Sequence, residues 1–264
     1  MVKLGVIGPG LIGRSVALAA RRAWPSIDVV EVDREQPLET LVGADVIVVA
    51  TPIDTILDII ANDASRFTGS LIVDTGSTKR AILDAARAAH LTNFVGGHPM
   101  AGGATTGPGA ARSDLFDGKP WFLIPALNRS LLDSARSFVE SLGASPVMMD
   151  DDGGDHDRLM AAVSHLPQLV ASLLISVSGA AAGPHGLGHA GPGLRDTTRL
   201  AESRADIWQS IVATNAGEIA PLLRTLADQL RSCADALECD DAIRAMFETA
   251  NHYHAILNGA NDAT

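Results

Sequence analysis

The side chain best suited to proton transfer near neutral pH is His98, inside Val95-Gly96-Gly97-His98-Pro99-Met100-Ala101-Gly102-Gly103. An imidazole, with an ordinary pKa of about 6.5, can serve there as a general base. Pro99 biases His98 toward extended backbone. The flanking glycines permit positive φ and close approach of a ligand, so the stretch reads as a tight turn. A purely structural turn around one hydrogen-bonded histidine would have the same sequence, and other positions must decide between the two.

The second constellation is Gly8-Pro9-Gly10-Leu11-Ile12-Gly13, which follows the apolar run 2–7 and precedes an alanine-rich stretch, 14–22, with a helical pattern. This is G-x-G-x-x-G between a strand and a helix. Its glycines serve, in order, a tight turn, the approach of a pyrophosphate to the backbone, and close packing of helix on strand. The free N–H groups of the helix start would face the anion. Asp33, at the end of the strand-like residues 28–32, supplies the carboxylate that hydrogen-bonds an adenosine ribose and repels a 2′-phosphate. It argues for NAD over NADP. The adjacent Arg34 could accept that phosphate or stack on adenine.

Strands and helices alternate along the first half of the chain. Residues 44–50 and 70–74 read as strands ending in Thr51-Pro52 and Thr75-Gly76-Ser77. Residues 53–61 and 79–89 read as helices; 120–125 is a further strand, about 129–142 a helix, and 145–149 a last strand. That alternation predicts a doubly wound parallel sheet. Ligands of such sheets lie at the carboxyl ends of the strands, so Thr51, Pro52, Thr75, Gly76, Ser77 and His98 are expected along one crevice. Ser77 could equally be the N-cap of the helix that follows it. The aspartate-rich residues 150–155 read as a linker with a solvated helix entrance. Everything beyond reads as helix, at about 156–182, 195–203, 205–238 and 240–258. The expected division is a Rossmann-type α/β domain over 1–150 and an all-α domain over 151–264.

The chain has 264 residues, 47% of them hydrophobic but only 4% aromatic, and a net charge of −11. The core must therefore be aliphatic, and the charge argues against nucleic acid or an anionic membrane as partner. Cys233 and Cys239 form no disulfide framework and read as reduced thiols. Residues 1–7 are too short for a signal peptide, and a cytoplasmic location is expected. No Asp, Glu, Lys or Arg occurs from Leu159 to Leu194. That run is long enough for a membrane helix, but its serines, His165, Pro167, Gln168 and the glycine-rich break from Gly183 favour a helix buried between helices or subunits.

His165 and Gln168 share a helical face beside Pro167, which should kink or restart the helix. Arg195 and Arg199 lie one turn apart after a glycine-rich turn. They could hold a carboxylate or pair with Asp196 or Glu202. His156-Asp157, His185 with His189, and His252 with His254 lack companion ligands at metal-site spacing, and no metal is expected.

Taken in order, Gly8-x-Gly10-x-x-Gly13, Asp74-x-Gly76-Ser77-x-Lys79, Gly97-His98-Pro99-Met100-Ala101-Gly102, Ser164-His165-Leu166-Pro167 and Arg195-Asp196-x-Thr198-Arg199 resemble the prephenate/arogenate dehydrogenase family of tyrosine biosynthesis, over roughly residues 1–215. Gln168 stands where that family often has a second histidine, and Leu194 where an aromatic is usual. The resemblance implies an NAD-binding Rossmann domain, a helical domain that makes a homodimer, and oxidative decarboxylation of prephenate or arogenate. It implies His98 as the base toward the ring hydroxyl and Ser77 as the group orienting that hydroxyl. Arg199 would hold a substrate carboxylate, and His165 and Gln168 would line the pocket. Cofactor contacts would come from Gly8, Gly10, Leu11, Ile12, Gly13, Asp33, Arg34, Thr51, Pro52, Thr75 and Gly76. No regulatory domain or fused mutase is expected in the remaining length. The rival readings are another two-domain NAD(P) oxidoreductase, of the β-hydroxyacid dehydrogenase or imine reductase kind, and a catalytically silent NAD-sensing protein.

Overall fold

A computed structural model describes residues 1–33, 36–102 and 107–259. They form two compact units, Met1–Glu218 and Ile219–Thr264.

The first unit is built on one seven-stranded sheet: β1 (Lys3–Ile7), β2 (Asp28–Val32), β3 (Val46–Val49), β4 (Leu71–Asp74), β5 (Phe94–Pro99), β6 (Pro120–Pro125) and β7 (Ser145–Met148). Its order is β2-β1-β3-β4-β5-β6-β7. Strand order reverses at β1, which places the crevice of a doubly wound sheet beside β1 and β3. Because successive side chains point to opposite faces, β3 sends Val46 and Val48 into one core and Ile47 and Val49 into the other. Both faces are covered, which is why the central strands read as unbroken apolar runs. On one face pack α1 (Leu11–Ala23) and α4 (Leu132–Ser141), with Val16, Ala20 and Phe138. On the other pack α2 (Ile53–Asn62) and α3 (Arg80–Ala88), with Ile56, Ile60, Ile82 and Leu83.

Two expectations are corrected. His98 does not sit in a tight turn but on strand β5, whose glycines are there for packing. A Cβ on Gly97 would lie 2.4 Å from the carbonyl oxygen of Asp74, and one on Gly96 3.0 Å from Leu83. The sheet is also not wholly parallel, since β5 and β6 pair antiparallel, His98 opposite Phe122. Parallel neighbours need a crossover, usually helical. Between β5 and β6 the described residues hold only the short 3₁₀ turn Pro108–Ala110.

After β7 come α5 (Gly154–Met160), a π-helical turn (Ala161–His165) and α6 (Leu166–Leu187), which is interrupted at Gly183 with φ 66°. Pro167 lies in the first turn of α6, where a missing N–H costs nothing. Then follow α7 (Pro192–Thr197), a 3₁₀ turn (Arg199–Glu202) and α8 (Ala205–Thr214). The aspartate-rich segment is no loose linker. Gly153, at φ 92°, packs so closely on the start of α3 that a Cβ would meet the Arg80 nitrogen at 2.8 Å. Helix α9 (Ala216–Asp235) leads into the second unit, which also contains α10 (Asp240–Leu257). The run Gly154–Leu187 is long and apolar enough to cross a membrane by length and composition.

Candidate functional site

The register brings the carboxyl ends of the central strands to one edge. Gly8 N–H donates to Val32 O at 2.9 Å, Ala50 N–H to Ile7 O at 2.8 Å, and Thr75 N–H to Val49 O at 3.1 Å. Asp33, Gly8, Thr51 and Thr75 therefore stand side by side at the mouth of the crevice. His98 joins them because β5 runs past the end of β4.

The glycine turn fits a dinucleotide pyrophosphate. Gly8 has φ 89°, and a Cβ there would lie 2.6 Å from Ala50 O; one on Gly13 would lie 2.2 Å from Gly8 O. At Gly10, by contrast, a Cβ would meet nothing within 4 Å, so the space beside it is open. Leu11 and Ile12 open α1, which has no side-chain cap and no acidic residue in its first turn. Its free N–H groups and dipole thus remain available to an anion. The hydroxyl of Thr51 is buried without a partner among the described residues, a donor and acceptor open to a ligand. Pro52 precedes α2. Gly76 is buried against Ile82, whose Cδ1 would lie 2.6 Å from a Cβ. Asp33 is exposed, and its N–H donates to Gln36 Oε1 at 2.9 Å. Arg34 lies outside the described residues.

His98 is fixed by two buried groups, Asp74 and Lys79, which frame a motif in the sequence but had no role assigned there. Asp74 accepts from Gly97 N at 2.9 Å through Oδ1 and from Gly76 N at 2.7 Å through Oδ2, and it pairs with the Lys79 ammonium. Lys79 Nζ also donates to Gly97 O at 2.7 Å. Both backbone groups of the residue before His98 are thereby held. Burial pulls the Lys79 pKa below its ordinary value, opposed by the adjacent Asp74.

Two imidazoles then meet, and a third, His165, is tied to them through Asn215 and Asp157. His98 Nδ1 lies 2.9 Å from His156 Nε2, and His156 Nδ1 lies 2.9 Å from Asp157 Oδ1. Asp157 also accepts from the backbone N–H groups of Lys79 (2.6 Å) and Arg80 (3.0 Å). It therefore fills the capping place for α3 for which Ser77 was a candidate, and α3 has no cap from its own neighbouring side chains. Asn215 Nδ2 donates to Asp157 O at 2.8 Å and to His165 Nδ1 at 3.1 Å. Trp208 stands edge-on to His165 with ring centroids 5.8 Å apart. Burial is the main cause that lowers all three histidine pKa values. His98 falls well below 6.5, with His156, Lys79 and His165 adding to the effect. His165 falls to about 4, with Asp157 opposing. A buried imidazole held neutral in this way is a base rather than a cation at neutral pH.

Ser77 is half-buried at the β4 edge. Gln168 is buried, and its amide is taken by the chain: Nε2 donates to Leu200 O at 2.7 Å, and Ser203 Oγ donates to Oε1 at 3.1 Å. Gln168 thus ties α6 to the turn that carries Arg199, at the wall of an open, mainly apolar cavity of about 480 Å³ shared with Ser172, Ser203 and Trp208. Arg199 is exposed. Neither it nor Arg195 forms an ion pair among the described residues, where most other arginines of this unit do. His156 and Asp157 had one signal in the sequence, an adjacent His-Asp pair one residue beyond Gly153-Gly154 that was weighed only for metal binding, and Asn215 had none.

Comparison with known proteins identifies the family. Residues 12–148 match the family model "Prephenate dehydrogenase, nucleotide-binding domain", and residues 152–249 match "Prephenate dehydrogenase, dimerization domain". The chain is 33% identical over 238 residues to the prephenate dehydrogenase of Lactococcus lactis, an alignment covering 81% of this chain and 65% of that relative's length. Among solved structures, the arogenate dehydrogenase of Synechocystis superposes with TM-score 0.78 at 27% identity, covering 97% of this chain and 100% of that one. The prephenate dehydrogenase of A. aeolicus, in complex with hydroxyphenyl propionate and NAD+, superposes with TM-score 0.86 at 20% identity, covering 97% and 98%. With a glycine turn shaped for a dinucleotide, a neutral buried imidazole at the same edge and both family models matched in order, the chain belongs to the prephenate dehydrogenase family.

Proposed function

We propose that this chain is an NAD-dependent dehydrogenase that oxidatively decarboxylates prephenate or arogenate in tyrosine biosynthesis. The observation that carries the reading is His98: neutral, buried, hydrogen-bonded among the described residues through Nδ1 alone, and at the strand edge that also carries the dinucleotide turn. His98 takes the proton of the ring hydroxyl, and Ser77 orients that hydroxyl. A nicotinamide held beside it would supply the hydride acceptor for the carbon bearing the hydroxyl, and loss of carbon dioxide would make the ring aromatic and the step effectively irreversible. Arg199 clamps a substrate carboxylate. His165 lines the pocket, while Gln168 holds the Arg199 turn in place and borders the side-chain end of the substrate.

Gly8, Gly10, Leu11, Ile12 and Gly13 hold the pyrophosphate, and Thr51, Pro52, Thr75 and Gly76 line the crevice. Asp33, with a carboxylate at the end of β2, favours NAD over NADP, and Arg34 belongs to the adenine side. The A. aeolicus structure holds NAD+ and a hydroxyphenyl compound, which supports both halves of the reading. We keep the functional division at about residue 150, with 151–264 as the helical domain that forms a homodimer. Exposed Leu159, Val163, Leu173, Leu174 and Val177 along Gly154–Leu187 would then be covered by a second copy rather than lipid. The free Cys233 and Cys239 suit a cytoplasmic enzyme.

The test is turnover with prephenate and with arogenate, each with NAD and with NADP, followed at the absorbance of the reduced nicotinamide. Activity on at least one substrate with NAD preferred supports the proposal; no reduction on either contradicts it.

A further inference from the structure

Asp157 fixes more than the start of α3. Its two oxygens face three donors, the backbone N–H groups of Lys79 and Arg80 and the Nδ1 side of His156. An ionised carboxylate only accepts, so the proton of a neutral His156 must be on Nδ1. Its Nε2 then presents a lone pair to His98 Nδ1 at 2.9 Å. That contact is a hydrogen bond only if His98 carries its proton on Nδ1, and a neutral His98 then has its lone pair on Nε2. Each tautomer is set by the next, starting from a carboxylate anchored by two backbone amides.

We infer that His156 and Asp157 form a hydrogen-bonded relay with His98 that holds it in the Nε2-basic tautomer and disperses the charge His98 gains on taking a proton. The inference rests on the reading of His98 as the base, and it makes His156 and Asp157 positioning residues. In the proton step, the substrate hydroxyl proton goes to His98 Nε2. The Nδ1 proton of the resulting imidazolium is then shared with His156 Nε2, while the Nδ1 proton of His156 stays on that nitrogen and is donated to Asp157 Oδ1. Nothing is oxidised or reduced in the relay. His156 is well placed for this because it is fully buried and flanked edge-on by Phe122 at 5.3 Å. The other charged groups acting on it are Lys79 and Asp74, already paired with each other, and Asp157. The remaining histidine, His165, is engaged by Asn215.

The experiment compares His156→Phe and His156→Gln with wild type, after circular dichroism and NAD titration establish that each is folded and binds cofactor. His156→Phe removes the acceptor for His98 Nδ1–H. It should lower kcat about 10–100-fold, the scale of a misoriented catalytic group, with KM within about threefold. It should also move the acid limb of the kcat/KM profile to lower pH: only a protonated His156 lowers the His98 pKa, whereas burial keeps His156 neutral, and a neutral His156 accepts from and stabilises the His98 imidazolium that the variant leaves without an acceptor. His156→Gln can still accept through its amide oxygen and should recover much of both effects. A folded His156→Phe with kcat within threefold and an unmoved acid limb overturns the relay. ¹⁵N spectra of histidine-labelled wild type need no variant: a protonated Nδ1 and an unprotonated Nε2 on His98 are expected, and the opposite tautomer overturns the inference. If His98→Asn is inactive while His156→Phe behaves as wild type, the relay alone is wrong. If His98→Asn retains its rate, the underlying reading of His98 fails.

Discussion

The carboxylate of Asp157 accepts the backbone N–H of Lys79 at 2.6 Å across 78 residues of sequence, so the helix after β4 is capped by the first helix after β7. That one contact orders the segment behind His98. Removing the carboxylate leaves two helix-start amides and the His156 ring without their acceptor in a dry site. Losing a cap costs about 1 kcal/mol, and an unsatisfied buried donor about 1–3 kcal/mol. Asp157→Ala should therefore lower unfolding free energy by about 2–4 kcal/mol in urea titration. A loss under 0.5 kcal/mol would show that the contact does not organise the site.

His165 predicts how stability responds to acid. Its pKa is about 4 in the folded chain and about 6.5 when unfolded. Between those values the unfolded chain binds more protons, so stability is full above about pH 6.5 and declines as pH falls toward 4. One such group accounts for about 2 kcal/mol between pH 7 and pH 5, and the lowered His98 and His156 act in the same direction. Urea midpoints of wild type should fall across this range, and those of His165→Gln should fall less. Equal slopes would contradict the assignment.

The glycines of the dinucleotide turn should separate folding from binding. Gly13→Ala places a Cβ 2.2 Å from Gly8 O and should cost several kcal/mol or prevent folding. Gly10→Ala meets nothing within 4 Å, so the apo protein should unfold within about 0.5 kcal/mol of wild type. Its NAD affinity should drop about tenfold or more, because the methyl group occupies the pyrophosphate approach. Calorimetric titration with NAD checks this, and unchanged affinity in Gly10→Ala would count against the placement of the cofactor.

Most of the framework was legible in the sequence because the parallel strands are buried on both faces and appear as apolar runs ending in glycine, threonine or aspartate. Strand β5 was not legible. Gly96, Gly97 and Pro99 look like turn residues, and only the structure reveals that Gly97 is small because Asp74 O lies against it. Spacing and context singled out His98, Ser77 and the glycine turn as candidates, and the register brings them to the same end of the sheet. His156 was not among them, since its partner His98 is 58 residues away and an adjacent His-Asp pair has no periodicity to betray it. The aspartate run looked like a solvated linker, yet Gly153 packs directly on α3. Gln168 looked like a free pocket amide, but its two ends are claimed by Leu200 and Ser203, both more than 30 residues away.

The proposed role of Arg199 is that of the cation offered to a substrate carboxylate. Losing one charge-assisted pair in a cleft costs about 2–4 kcal/mol, so Arg199→Ala should raise KM strongly with a smaller effect on kcat. Arg199→Lys should recover only part, since an ammonium cannot reproduce the two-pronged geometry. Steady-state kinetics with prephenate decides it, and an unchanged KM in Arg199→Ala would remove the clamp.

The central claim, that His98 is the base, is tested most directly by kcat for His98→Asn with its better substrate and saturating NAD. An asparagine keeps polarity and roughly the volume of the site but cannot take a proton at neutral pH. The account predicts NAD binding close to wild type and kcat lower by about 10²–10⁴-fold, the usual worth of a positioned base; a folded His98→Asn enzyme with kcat within threefold of wild type would contradict it.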